Sequence, residues 1–261
     1  MSELDSFRLD DRVALVSGGS GGIGMRICAA LAGVGARVAV VGRDEGRLQA
    51  AREAIEAAGS DALVLAADVT KEADADRVVD ETVARFGRLD ILVNAVGGGA
   101  GAVLNDAEVY PEQDWDWIMD INLRTQFNVS KAGARAMIAG GRGGRILNIS
   151  SVRGQLGVRL GYSAYVAAKG AMDALNRQHA TEWAKYGITV NAVAPTFVRT
   201  PQVESLLADE SFRQGLVNRI PLGRIAEPDD LVGAVLFFCS DASSFVTGQL
   251  LTLDGGLTAT Q

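Results

Sequence analysis

The sequence predicts an α/β fold in which a doubly wound parallel sheet of about seven strands is flanked by helices. Three observations support this prediction. Short apolar, β-branched runs alternate with helix-length segments along the 261 residues. Most of these runs are almost continuously apolar, which is typical of strands covered by helices on both faces. A glycine-rich turn follows the first run, where such a sheet binds its ligand.

Each element follows from this alternation in chain order. The predicted strands are residues 13–17, 37–41, 62–67, 89–94, 145–150, 188–193 and 249–253. The predicted helices are residues 23–34, 45–58, 71–86, 113–139, 163–185 and 228–240. No linker or repeat interrupts the pattern, so residues 1–261 are predicted to form a single Rossmann-like domain with right-handed crossovers. The aperiodic stretch 196–226 is interpreted as a substrate loop or lid.

The overall charge disfavours several classes of partner. The chain has 25 Lys and Arg against 32 Asp and Glu, a formal net charge of −7. Nucleic acid and a basic membrane-binding face are therefore not expected. The N-terminus is acidic and polar and no apolar stretch reaches the roughly 18 residues of a membrane span, so a cytoplasmic protein is expected.

The rarest reactive residues also narrow the chemistry. Cys28 and Cys239 lie in apolar, helix-like surroundings and are expected to be buried and reduced. The only histidine, His179, falls deep in a predicted helix and is interpreted as a packing or surface residue. We therefore predict no metal site, and a Ser-His-Asp triad is excluded.

The segment 17–24, SGGSGGIG, has the composition of a phosphate-binding turn. Its glycines fit both G-x-G-x-x-G and G-x-x-x-G-x-G, in two registers that share Gly24. Glycine allows the backbone to approach a pyrophosphate closely, and the amides at the following helix N-terminus face its negative charge. The predicted cofactor contacts in this turn are Gly18, Ser20, Gly21, Gly22, Ile23 and Gly24.

The ends of the second and third strands bear on the choice of nucleotide. Gly42 stands where an acidic residue would bind the ribose 2′-hydroxyl of NAD, and Arg43 follows it. A guanidinium suits a 2′-phosphate, so NADP is favoured. Asp44 can cap the next helix or reach the ribose, so NAD is the alternative. Asp68, after the third strand, can bind an adenine amine or cap the helix that begins near Lys71.

The predicted helix 163–185 carries a tyrosine and a lysine one turn apart. Tyr165 and Lys169 lie on one face because residues four apart are neighbours on a helix. Reduction of a carbonyl needs a proton donor, and a nearby ammonium is expected to lower the pKa of the phenol from about 10. Lys169 can also bind the nicotinamide ribose. Tyr162 has Val166 four residues on and is expected only to line the pocket.

Two further polar positions complete the predicted reactive site. Ser150 and Ser151 end the strand 145–150 at the carboxyl edge of the sheet, where a hydroxyl can position a substrate oxygen. Asn122 is polar on a helix face that should be apolar. It can hold a water that links Lys169 to solvent, and an asparagine that bonds to the backbone and kinks the helix is compatible with that role.

These motifs together resemble the short-chain dehydrogenase/reductase superfamily, in its single-domain branch of about 250 residues. SGGSGGIG resembles T-G-x-x-x-G-x-G with Ser17 in place of threonine, and LVNAVG resembles L-V-N-N-A-G with two departures. YVAAK fits Y-x-x-x-K. VNAVAPTFVRT resembles N-x-x-x-P-G-x-x-x-T with Thr196 in place of glycine, and TGQLLTLDGG resembles the C-terminal strand and turn. The resemblance covers the chain essentially end to end.

The resemblance implies an NAD(P)-dependent dehydrogenase/reductase that transfers hydride at a secondary alcohol or ketone. It implies the catalytic residues Asn122, Ser151, Tyr165 and Lys169; Ser151 precedes Tyr165 by 14 residues, one more than in many members, so Ser150 is the alternative. It also implies a homotetramer with helices 113–139 and 163–185 at one interface. The further cofactor contacts that it implies are Asp68, Val69, Asn94, Gly97, Pro195, Val198 and Thr200.

The substrate is expected to lie between residues 97–105, 153–162 and 196–217. Arg153 and Arg159 are expected to be exposed, the alternative being that one of them attracts an anionic substrate. The stretches APTFVRTP and GRIPLGRIAEP favour members that act on gluconate-type sugar acids, glucose or oxoacyl groups. A non-catalytic nucleotide-binding regulator and a lyase of related fold are the competing hypotheses.

Overall fold

The computed structural model describes residues 3–99, 101–159 and 161–260. Ala100 and Leu160, which belong to the predicted pocket walls, lie outside the described residues. Seven parallel strands form one sheet in the order β3-β2-β1-β4-β5-β6-β7, so the predicted fold class is confirmed. The strands are β1 Val13–Ser17, β2 Arg37–Gly42, β3 Ala62–Ala66, β4 Ile91–Asn94, β5 Gly144–Ile149, β6 Ile188–Pro195 and β7 Leu250–Leu253.

The order of the strands places a crevice beside β1. Strand β1 pairs with β2 on one side and with β4 on the other, so the direction in which the chain builds the sheet reverses here. Ser17 lies opposite Val41 and Asn94 at the carboxyl ends of these strands. Loops that leave this reversal point diverge to opposite faces of the sheet, which opens the ligand crevice of this fold.

The helices of the described chain largely follow the sequence prediction. They are α1 Gly22–Gly33, α2 Glu45–Ala57, α3 Glu72–Phe86, α4 Glu112–Met119, α5 Thr125–Gly140, α6 Ser163–Trp183, α7 Glu204–Leu207, α8 Glu210–Val217 and α9 Val232–Cys239. The predicted helix 113–139 is divided into α4 and α5 by a π-helical segment, Asp120–Arg124. The stretch 196–226 contains α7 and α8, which its sequence did not predict.

Alternation along the strands separates two cores, one on each face of the sheet. Val16 and Val40 point toward α1, α2 and α9, whereas Leu15 and Ala39 point toward α3 and α5. A smaller cluster joins α7 and α8 to the C-terminal turn. Its contacts link distant parts of the chain, which explains why no local periodicity marked the two short helices.

The predicted packing residues lie in these cores. Cys28 and Cys239 are buried free thiols, and burial raises the pKa of both. His179 is buried and stacks on Trp183 with 4.2 Å between ring centroids, which bears out a packing role. Within the ranges that the structure describes, no helix is both long and apolar enough to cross a membrane.

Candidate active site

A cavity of about 960 Å³ lies along the carboxyl edge of the sheet. The turn after β1 and the ends of β2 and β3 form one end of it. The residues after β5, the start of α6 and the segment after β6 form the other end. The cavity therefore brings together the glycine-rich turn and the Tyr-Lys pair, which are about 140 residues apart in the sequence.

Two glycines of the turn are required by the backbone geometry. Gly18 has φ +74°, and a Cβ on it would lie 2.6 Å from the carbonyl carbon of Ala95. A Cβ on Gly24 would overlap the carbonyl oxygen of Gly18. Helix α1 is thus packed directly against the turn that precedes it, with no room for a side chain between them.

The same turn leaves helix amides facing the cavity. Gly21 is the N-cap of α1, and no side chain bonds to the amides that follow it. The predicted contacts of the turn, from Gly18 through Gly24 apart from Gly19, all line the cavity. Free amides at the N-terminus of a 12-residue helix, with space in front of them, suit the pyrophosphate of a dinucleotide. The residues present therefore fit a nicotinamide dinucleotide.

Gly42 at the end of β2 has a packing reason that the sequence did not reveal. A Cβ on Gly42 would collide with the hydroxyl of Ser20, so this position excludes an acidic side chain unless Ser20 moves. Arg43 is exposed at the rim of the cavity and forms no ion pair among the described residues. Asp44 caps α2 by accepting from the amide of Arg47 at 2.8 Å, as one of the two interpretations predicted.

Asp68 closes a turn and does not cap a helix. Its Oδ1 accepts from the hydroxyl of Thr70 at 2.7 Å and from the Thr70 amide at 3.3 Å. Helix α3 begins after Lys71 with no side-chain cap, so the capping alternative for Asp68 is wrong. Asp68 and Val69 both line the cavity, with the other Asp68 oxygen available to a ligand amine.

Asn94, which the sequence predicted as a cofactor contact, lies within the sheet and away from the cavity lining. Asn94 is 2% exposed and does not line the cavity. Its amide nitrogen donates to Ser130 and to Asn148, each at 2.9 Å, and its oxygen accepts from Ser17 at 3.3 Å. This buried network joins β1, β4, β5 and α5. Asn94 therefore supports the strand ends on which the cavity is built.

At the other end of the cavity, Tyr165 and Ser151 are neighbours. Burial raises the pKa of Tyr165 to about 12, and a hydrogen bond with the Ser151 hydroxyl partly opposes that rise. The sequence predicted instead a pKa lowered by Lys169, whose Nζ is 5.6 Å from the centre of the Tyr165 ring. The two serines also differ, because Ser150 donates to Asp173 at 2.6 Å, away from Tyr165. The geometry thus favours Ser151 over Ser150.

Lys169 is buried next to one backbone carbonyl and one carboxylate. Its ammonium donates to the carbonyl of Ile149 at 3.1 Å. Burial lowers the pKa of Lys169 to about 8, and the charge of Asp173, one turn along α6, acts in the opposite direction. Burial likewise raises the pKa of Asp173, although its bond from Ser150 counteracts this. Lys169 is thus a desolvated cation that faces the cavity.

Asn122 lies behind the cavity wall. Its side chain accepts from the amide of Gly98 at 3.0 Å and donates to the carbonyls of Gly98 and Ile118, each at 3.0 Å. A Cβ on Gly97 would lie 2.9 Å from the Asn122 oxygen and 3.2 Å from the Lys169 nitrogen. Asn122 therefore bonds to backbone within a π-helical segment, and its oxygen and the Lys169 nitrogen both lie close to where a side chain at Gly97 would begin.

The segment after β6 covers the middle of the cavity. Pro195, Val198 and Thr200, three of the predicted cofactor contacts, all line it. The side chain of Thr200 packs over Gly22, where a Cβ would come within 2.9 Å of it. Gln202 packs against Gly98 on the opposite loop. The segment therefore bridges the phosphate turn and the loop after β4.

Arg153 overturns the expectation of an exposed side chain. It is 8% exposed and lines the cavity beside Tyr162 and Tyr165, whereas Arg159 is exposed as predicted. Burial lowers the pKa of Arg153, and so does the charge of Arg219. Tyr162 lines the cavity, as expected.

Sequence reasoning missed two charged neighbours of the site. Asp173 could have been found, because it is four residues after Lys169 and so lies on the same helix face. Arg47, which lines the cavity next to Arg43, carried no such signal. Its position depends on the first turn of α2 crossing the rim.

The buried ammonium of Lys169 predicts a pH-dependent stability. Below about pH 8 the folded state bears the full cost of burying the charge. Between about pH 8 and the ordinary value of 10.5 the folded state loses its proton first, so stability rises with pH. Relative to Lys169→Met, the protein should gain on the order of 1–2 kcal/mol between roughly pH 7 and 9.5. Chemical denaturation of both proteins measures this, and parallel curves would contradict it.

A dinucleotide-sized cavity with a helix N-terminus at one end and a phenol, a hydroxyl and an ammonium at the other defines a nicotinamide-dependent oxidoreductase. Comparisons with known proteins agree. Residues 18–258 match the family model described as enoyl-(acyl carrier protein) reductase. Gluconate 5-dehydrogenase of Gluconobacter oxydans is 42% identical over 261 residues, covering 99% of each chain.

Solved structures give the same family. A short-chain type dehydrogenase/reductase from Mycobacterium marinum has a TM-score of 0.93 at 34% identity, with 99% of this chain and 100% of that chain covered. A gluconate 5-dehydrogenase from Burkholderia cenocepacia, solved with NADP and tartrate, has a TM-score of 0.91 at 38% identity and full coverage of both chains. The chain belongs to the short-chain dehydrogenase/reductase superfamily. It is an NAD(P)-dependent oxidoreductase that acts on CH–OH groups, and the non-catalytic alternative is not supported.

Proposed function

We propose that this enzyme interconverts a secondary alcohol and a ketone of a sugar acid, with NADP(H) as the preferred cofactor. The observation that carries the proposal is the shared cavity of Ser151, Tyr165 and Lys169, with the glycine-rich turn at its other end. The gluconate 5-dehydrogenases among the relatives support the sugar-acid class, and the NADP bound by one of them supports the cofactor.

In this proposal Tyr165 is the general acid and base. When bound, the nicotinamide supplies a hydride to the carbonyl carbon or accepts one from the alcohol. The Tyr165 hydroxyl, protonated near neutral pH because burial raises its pKa, donates its proton to the carbonyl oxygen during reduction. Ser151 donates a hydrogen bond to the same oxygen and holds it against the phenol.

Lys169 and Asn122 act behind this pair in the proposal. The Lys169 ammonium, held by the Ile149 carbonyl, binds the nicotinamide ribose and supplies the positive charge that stabilises a phenolate. Asn122 fixes the backbone at Gly98 and completes a relay through which Lys169 exchanges protons with solvent. The position of Asn122 and Lys169 on the same side of Gly97 supports that relay.

The direct test is a matrix of NADP(H) and NAD(H) against sugar acids, polyols and 3-oxoacyl thioesters, followed at the nicotinamide absorbance. We expect the highest kcat/KM with a sugar acid and NADP(H). Turnover of oxoacyl thioesters alone would overturn the substrate class, and a lack of redox turnover with every pair would overturn the catalytic roles.

The rim residue Arg43 carries the cofactor preference in this proposal. Because position 42 is a glycine and carries no acidic side chain, and Arg43 has no described ion-pair partner, Arg43→Ala should lower kcat/KM for NADP by about 10- to 100-fold and leave the value for NAD nearly unchanged. The lost contact is to the 2′-phosphate, which NAD lacks. Arg37→Ala, distant from the cavity rim, is the control, and an unchanged NADP/NAD ratio in Arg43→Ala would remove this residue from the phosphate site.

We also propose a homotetramer in the cytoplasm, where the two buried thiols stay reduced. The support for assembly is a group of large apolar side chains exposed on α4 and α5: Trp115, Trp117 and Phe127. Light scattering on a gel-filtration column should give four times the 27.3 kDa chain mass.

The segment 196–226 is proposed to act as the lid over the substrate.

A further inference from the structure

A buried arginine faces the substrate end of the cavity without a partner for its charge. Arg153 is 8% exposed, and its Nη1 has no hydrogen-bond partner. No carboxylate in the described ranges forms an ion pair with it. The charge that acts on it most strongly is that of another cation, Arg219. A buried cation that forms no ion pair costs much free energy unless an anion binds next to it.

The backbone holds this guanidinium next to the reacting groups. Arg153 lies in the turn Val152–Gly154 that follows Ser151, and its amide donates to the Ser151 hydroxyl oxygen at 3.1 Å. Tyr162 and Tyr165 are the other ionisable neighbours that affect it. The turn that carries the hydroxyl thus also carries the cation, and an anion bound there would lie beside the oxygen-binding groups.

We propose that Arg153 is the specificity-determining residue that binds the carboxylate of the substrate and selects hydroxy and oxo acids over neutral polyols. The planar guanidinium can donate two parallel hydrogen bonds to a carboxylate, a geometry that a solvated surface arginine does not need. This inference rests on the proposed function, since it assigns one group of the sugar acid to one residue. Arg219, which is exposed, adds positive potential at Arg153.

The competing explanation is that Arg153 only packs against the two tyrosines. A packing role would affect stability and turnover of every substrate to the same extent. A carboxylate-binding role would affect only substrates that carry the anion. The ratio of kcat/KM for an anionic substrate to kcat/KM for a neutral one therefore separates the explanations, even if a variant is somewhat destabilised.

The experiment compares D-gluconate with D-glucitol, which replaces the carboxylate by a neutral hydroxymethyl group. The wild-type enzyme should prefer gluconate, and Arg153→Met should lower kcat/KM for gluconate by about 30- to 100-fold while changing that for glucitol less than about threefold. Arg153→Lys keeps the positive charge but loses the planar guanidinium that donates two parallel hydrogen bonds. Its kcat/KM for gluconate should lie between those of the wild type and Arg153→Met. The matched control is Arg159→Met, an exposed arginine six residues on, which should keep the wild-type ratio.

A binding measurement makes the test independent of turnover. Calorimetric titration of the NADP-loaded enzyme with tartrate should give a Kd that rises at least about tenfold in Arg153→Met, with NADP affinity unchanged. Three outcomes would overturn the role of Arg153. They are an equal fall of kcat/KM for gluconate and glucitol in Arg153→Met, a loss of the gluconate preference in Arg159→Met, and unchanged tartrate binding in Arg153→Met. Redox turnover of sugar acids would in those cases leave the proposed function standing, whereas tartrate binding through Arg153 without any redox turnover would overturn the proposed function alone.

Discussion

Replacing Tyr165 by phenylalanine is expected to lower kcat by about 10²- to 10⁴-fold, the range contributed by a positioned proton donor. The substitution removes the Tyr165 hydroxyl, whose pKa the neighbouring Ser151 hydroxyl lowers, from the substrate end of the cavity. The ring remains, so packing against Lys169 and the shape of the cavity should change little. Stopped-flow measurement of hydride transfer, with NADPH binding followed by fluorescence, separates chemistry from cofactor affinity.

Tyr162→Phe is the matched control for this prediction. Tyr162 also lines the cavity, and its ring is 6.3 Å from that of Tyr165. It has no lysine one turn along the helix, so loss of its hydroxyl should have a much smaller effect on kcat. If Tyr162→Phe proved as damaging as Tyr165→Phe, or if Tyr165→Phe retained turnover, the assignment of the proton donor would have to be abandoned.

Replacing Gly24 by alanine is expected to damage the protein at its cofactor turn. The added Cβ would overlap the carbonyl oxygen of Gly18, a backbone atom that cannot rotate away. Forcing an extra carbon into a packed site costs about 1–3 kcal/mol or more, and the shift needed here displaces the turn itself. We therefore expect both a lower melting temperature and at least about a tenfold weaker Kd for NADP(H), since tenfold corresponds to about 1.4 kcal/mol.

Gly33→Ala provides the control within the same helix. Gly33 is the last residue of α1, and a Cβ there would meet no heavy atom within 4 Å. Alanine loses less backbone entropy than glycine on folding, so this variant should gain up to about 1 kcal/mol of stability. Equal behaviour of the two variants in thermal melts and in NADPH titrations would show that the tight contact at Gly24 is unimportant.

The reactive residues were accessible to sequence reasoning because their signals are local. Tyr165 and Lys169 face one cavity because α6 is a regular helix over both positions. Ser151 follows a strand whose apolar character predicts burial, and parallel strands end at one edge of a sheet. The turn at Gly18 is likewise recognisable, since positive φ and close backbone contact both demand glycine.

The residues whose surroundings the sequence did not reveal share the opposite property. Asn94 ends β4 at the same edge of the sheet as Ser151. Its amide nitrogen donates to Ser130 and Asn148 and its oxygen accepts from Ser17, and all three partners belong to other elements. Arg153 resembles a surface arginine in the sequence, yet its turn folds into the cavity. The division of helix 113–139 at its π-helical segment depends on Asn122 bonding to the backbone at Gly98, a contact between distant segments.

The sequence by itself determined the strands, most of the helices, the phosphate turn and the Tyr165–Lys169 pair. Periodicity and turn chemistry act over a few residues, and each of these features depends on that range alone. Only the tertiary structure decided that Ser151 rather than Ser150 faces Tyr165, that Asn94 is a strand support, and that Arg153 is a buried cation. These outcomes depend on which side chains meet across the sheet and its loops, because burial and pairing, not residue type, set the environment of a polar group.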